Sequence, residues 1–105
     1  MNRRFSFYIL LALAALVALP AWAISIEIDT IDFMTQVGVR LGSGQIEMRE
    51  GQTLTATVAL PAVLARHGLK AKEGDAAQVT YLRGNSFRLL HVPSKLTLEF
   101  TWTKK

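Results

Sequence analysis

No cysteine occurs among the 105 residues. Disulfides, Cys-ligated zinc, a thiol nucleophile and a lipid-modified N-terminal Cys are thereby excluded for this chain. Histidine is nearly as scarce, with His67 and His91 alone. A structural zinc takes about four ligands, so two distant His leave only a mixed His–carboxylate site open. There is no Gly-x-Ser-x-Gly elbow, no Gly-rich phosphate loop and no block of like charge. Stacking platforms for single-stranded nucleic acid need interleaved exposed aromatics. Phe87 and Trp102 are the candidates, and both fit a core.

What is present begins with "MNRRFSFYILLALAALVALPAWA". Two arginines precede an apolar run over residues 7–19, then Pro20 and the small-residue pattern Ala21-Trp22-Ala23. That order predicts a secretory signal, cleaved near Ala23. The apolar run is shorter than the ~20 residues that span a bilayer, so an uncleaved anchor is the secondary reading and the only membrane contact expected. Residues 24–105 then form one small β-rich domain, periplasmic or secreted. Such a domain buries roughly 60% of its unfolded surface, and it has no disulfide to compensate. Of the twelve Lys and Arg, Arg3 and Arg4 lie in the opening segment, leaving ten against eight acidic residues. The remaining chain is only weakly basic, which argues against an electrostatic nucleic-acid or membrane binder.

Alternation, the strand signal, dominates the rest of the chain. "ISIEID" places Ile24, Ile26 and Ile28 on one face. "IDFMTQVGVRL" alternates through Ile31, Phe33, Val37, Val39 and Leu41 and predicts a second strand. "RLGSGQIEM" predicts a hairpin around Ser43-Gly44, with Val39 facing Met48 and Arg40 facing Glu47. "TLTATVAL" aligns Leu54, Ala56, Val58 and Leu60. Pro61 starts a short helix. Gly68 stops it, and Leu69 packs back on Leu64. After Gly74-Asp75, "AAQVTYL" and "FRLLHV" form a hairpin around Gly84-Asn85. That register puts Tyr81, Val79 and Ala77 opposite Arg88, Leu90 and Val92 on the core face, with Arg88 over the Tyr81 ring. A final strand alternates Leu96, Leu98, Phe100 and Trp102 with polar residues. The fold class expected is mainly β, a small barrel or sandwich of six to seven short strands with one short helix.

Leu60, Pro61, Leu64, Gly68, Leu69, Lys70, Gly74, Asp75 and Val79 carry a local resemblance. Residues 54–92 resemble the GD-box element of cradle-loop barrels, and most of all the AbrB-like swapped-hairpin domains of bacterial regulators and antitoxins. The resemblance implies the local order strand, helix, Gly-Asp turn, hairpin. Ala71, Lys72 and Glu73 separate Lys70 from Gly74, slightly more than is usual in the family. The family acts on DNA in the cytoplasm, whereas this chain carries an export signal. The fold expectation is kept and the DNA function is not.

Catalysis finds little support. Ser25, Ser43, Ser86 and Ser94 are the serines beyond the opening segment, and three of them fall in expected turns. His67 suits a helix C-terminus, where a basic side chain meets the last carbonyls. Asp75 suits a turn whose N–H groups its carboxylate accepts. The function expected is an exported, non-enzymatic binding or assembly module of the bacterial envelope, with no cofactor. It would act by protein–protein contact, with an envelope protein or its own copies, through a strand edge or the mixed face of Leu82, Phe87, Leu89 and His91. The alternative is an anionic envelope polymer or nucleic acid held by basic residues such as Arg66, Lys70 and Lys72. A small hydrolase or metal-binding protein is the least supported.

Overall fold

The computed structural model describes residues 24–104. The expected signal segment and its cleavage point lie outside the described residues. Seven strands form two antiparallel sheets: β1 (Ser25–Asp29), β2 (Val39–Arg40), β3 (Gln45–Arg49), β4 (Thr53–Val58), β5 (Ala76–Arg83), β6 (Ser86–His91) and β7 (Leu96–Thr101). The helices are α1 (Thr30–Val37) and α2 (Pro61–Arg66). β1 pairs with β3 in a two-stranded sheet, and the other strands follow the order β2-β4-β5-β6-β7. The larger sheet curls into a half-barrel. The mainly β class is therefore as expected, with one helix more. Among the described residues no helix is long and apolar enough to cross a membrane.

α1 replaces the strand that alternation suggested. Asp29 caps it, its carboxylate accepting the N–H groups of Ile31 (3.0 Å) and Asp32 (3.3 Å). Thr30, Phe33 and Val37 point inward at helical spacing and are buried, while Ile31 is 67% exposed. Gly38 ends the helix with φ +94°, and its N–H reaches the Met34 carbonyl at 2.8 Å. A Cβ there would stand 2.9 Å from the Leu60 carbonyl oxygen. The close approach is used, because the Gly38 carbonyl accepts the N–H groups of Ala59 and Leu60.

This helix also breaks the first expected hairpin. It redirects the chain, so that Val39 pairs with Val58 and Arg40 with Thr57. β3 then pairs with β1 instead, Ile26 facing Met48 and Ile28 facing Ile46. The Gly44 carbonyl, between the sheets, accepts from the Thr30 N–H (3.0 Å) and hydroxyl (2.7 Å).

Local punctuation around α2 behaves as the sequence indicates. Pro61 begins the helix. Gly68 has φ +82°, and the Leu69 N–H bonds back to the Leu64 carbonyl at 3.1 Å. Leu64 and Leu69 are both buried.

The β5–β6 hairpin turns at Gly84-Asn85, but a bulge between Tyr81 and Arg83 shifts its register. Tyr81 faces Phe87, Val79 faces Leu89 and Ala77 faces His91. A one-residue shift exchanges the faces of a strand, so the core partners are not Arg88, Leu90 and Val92. Arg88 lies outside opposite Thr80 and pairs with Glu99 at 3.1 Å rather than stacking on Tyr81. The Tyr81 hydroxyl donates to the Gly84 carbonyl at 2.7 Å. Burial, and after it the Glu50 charge, raises the Tyr81 pKa and keeps that donor protonated.

The core lies between the half-barrel and α1. Phe33 is fully buried, its ring 5.4 Å from Phe87, 5.6 Å from Phe100 and 6.4 Å from Trp102. Aromatic edges on faces add to the burial of the rings themselves.

Candidate functional site

Two features of the β6–β7 region carry functional potential. The first is a polar line across the start of β5 and the end of β6. His91 is 3% exposed. Its Nε2 lies 2.9 Å from Asp75 Oδ2, and its Nδ1 lies 2.7 Å from Ser94 Oγ. Asp75 Oδ2 also accepts the Lys72 N–H at 2.9 Å. That N–H, and after it the His91 side chain, hold the Asp75 pKa below its ordinary value. An ionised carboxylate can only accept, so Nε2 carries the imidazole proton. Nδ1 shares the remaining hydrogen bond with the Ser94 hydroxyl.

Ser–His–Asp in that order is the logic of an activated hydroxyl. Acyl transfer also needs N–H donors aimed at a developing oxyanion. Here the Leu96 N–H is spent on Ser94 Oγ itself (3.3 Å), and the Lys95 N–H on the His91 carbonyl (2.8 Å). These bonds tie down a turn in which Lys95 is the non-glycine residue with positive φ, +59°. The same hydrogen bonds hold the chain where β7 begins.

The second feature is β7 itself. Its one sheet neighbour among the described residues is β6. The Trp102 N–H donates to the Asn85 carbonyl at 2.9 Å, so Trp102 directs its backbone toward β6. Thr103 directs its backbone the other way, to α1. Its N–H meets Gln36 Oε1 at 3.1 Å and its carbonyl accepts Gln36 Nε2 at 2.7 Å. Antiparallel alternation then turns the N–H and C=O groups of Thr97, Glu99 and Thr101 outward, to the free edge.

Inward side chains of β7 are uncovered progressively along the strand. Trp102 is 1% exposed, Phe100 and Leu98 are half-buried, and Leu96 is 55% exposed. β7 has no Pro, Lys or bulge, and its single charge, Glu99, is matched by Arg88. Those devices are how natural sheets protect an edge, and this edge lacks them. The opposite margin differs: β2 covers Thr57 and Val58 of β4.

The residues singled out from the sequence divide between core and surface. Phe87, Leu89 and His91 are buried, so the mixed face proposed for partner contact is interior apart from half-exposed Leu82. The bulge at Leu82 causes this reversal. Arg66, Lys70 and Lys72 are exposed, on the last turn of α2 and the loop after it. His67 caps α2 through its backbone. Among the described residues no three His, Asp or Glu side chains gather as a metal site. A cleft of about 440 Å³ at the bulge is lined by Glu50, Tyr81, Leu82, Arg83, Arg88 and Glu99 among others, with acids and bases in balance. The pairing of Asp75 with His91 was missed as a site, and the strand edge expected for contact was not assigned to β7. The first depends on register. For the second, the signal was "LTLEFT" standing without a gatekeeper.

Comparison of the chain with protein families, with characterised proteins and with solved structures finds no match.

Proposed function

We propose that this protein is a non-enzymatic assembly module of the bacterial envelope, exported by its N-terminal segment, that works by accepting a β-strand along β7. One observation carries the reading: a six-residue strand with an open hydrogen-bonding side and a half-covered apolar face. Main-chain bonds supply affinity in strand addition, and alternate side chains supply selectivity. The Asp75–His91–Ser94 line serves this role by anchoring the start of the strand. The GD-box likeness of residues 54–92 contributes local architecture alone.

The test is capture from a bacterial envelope extract by the full chain and by Thr97→Pro. Proline at an outward position deletes an edge donor without touching the β6 ladder. The variant should keep the far-ultraviolet circular dichroism of the folded chain and lose its captured partners. Capture of the same proteins by both chains, a second copy of this chain counting among them, would refute the reading. Capture kept by Thr97→Pro but abolished by added salt would transfer the role to Arg66, Lys70 and Lys72.

A further inference from the structure

We infer that the strand received by β7 is β7 of a second copy of this chain, antiparallel about a two-fold axis at Leu98. The inference rests on the β7-edge reading and names its occupant. Outward groups fall on residues 97, 99 and 101, so the registers that allow paired bonding centre on residues 97 to 101.

Side chains select among these registers. Centring on Glu99 sets Glu99 directly opposite its copy, and like charges so placed are destabilising. Centring on Leu98 sets Glu99 opposite Thr97 of the second copy. It brings the turn residue Lys95, just before β7, toward the Glu99–Thr101 end of the other strand, where its long side chain can meet the Glu99 carboxylate. On the inner face Leu98 meets Leu98, and exposed Leu96 meets half-buried Phe100, twice by symmetry. The least covered end of each strand thus lies against the better covered end of its copy. This is the self-complementarity that a two-fold interface requires.

Geometry at the seam agrees. Among the described residues α1 bonds to the edge at Thr103, through Gln36. Antiparallel pairing sends the two α1 helices to opposite ends of the seam, clear of residues 96–100. Two half-barrels then share one continuous sheet, with both apolar concave faces on the same side, and each chain closes the open edge of the other.

A photoreactive residue at Thr97 of the full chain, irradiated in bacterial cells, tests the occupant. A second labelled variant at Thr101 guards against misfolding of the first, and one at Thr55 on the opposite margin is the control. The expected product is an adduct of twice the chain mass from Thr97 and Thr101, with little from Thr55. Peptide mapping should join position 97 to the region of Glu99, and position 101 to the region of Lys95. An adduct of any other mass overturns self-pairing and leaves the edge reading standing. No adduct above the Thr55 control from either position overturns both.

Discussion

Removing one hydroxyl tests whether the buried polar line is a structural anchor. Ser94→Ala deletes the hydroxyl partner of His91 Nδ1 and the acceptor of the Leu96 N–H. The two losses are unequal. Leu96 is exposed, so its N–H turns to water at little cost. The His91 side chain is only 4% exposed, so Nδ1 is left as a buried polar atom without a hydrogen-bond partner. Such a group costs about 1–3 kcal/mol. For a domain of this size each kcal/mol moves the thermal midpoint by roughly 4–8 °C, so the drop should be plain in a melt.

The assay is urea unfolding followed by the fluorescence of Trp102, which is 1% exposed in the fold. A second background isolates the coupling. In His91→Leu the ring is gone, and Ser94→Ala should then cost under about 0.5 kcal/mol, as surface changes do. If Ser94→Ala costs that little in the native background, or costs the same in both, Nδ1 does not depend on Ser94 and the polar line is no anchor.

Acid titration checks the other end of the line. Asp75 is held below its ordinary pKa of 3.8, so its contribution is complete above that value and is lost as pH falls through the lower folded value. Urea midpoints should therefore fall less steeply with acid in Asp75→Asn than in the native chain. Gly38→Ala should cost at least about 2 kcal/mol, because left-handed strain adds to a collision with the Leu60 carbonyl. Gly68→Ala, with the same φ sign and open space around it, should cost only about 1 kcal/mol. Paired chemical melts separate the two. Phe33→Ala, at the meeting point of Phe87, Phe100 and Trp102, should cost about 3–5 kcal/mol and lose the near-ultraviolet circular dichroism of the aromatic cluster.

Local chemistry was legible where one residue type answers one local demand. Pro61, Gly68, Leu69 and the Gly84-Asn85 turn behave as read, because caps and turns are decided within a few residues. α1 was hidden by coincidence. Phe33 and Val37 satisfy both a period of two and, with Thr30, a period near 3.6. The capping Asp29 and the stop at Gly38 were the signals that separate them.

The amino-acid sequence by itself determined that this chain lacks thiol and Cys–zinc chemistry, that strands dominate it, and where most of its turns fall. Tertiary structure decided which strands are neighbours and which faces are core. One bulged residue, Leu82, moved Phe87, Leu89 and His91 from the expected surface to the interior. The same shift carried His91 to Asp75, sixteen residues away. Only the sheet order made β7 an edge. Pairing between distant strands depends on bulges and connections whose effect is not local, and a side-chain period of two turns each single-residue slip into an exchange of inside for outside.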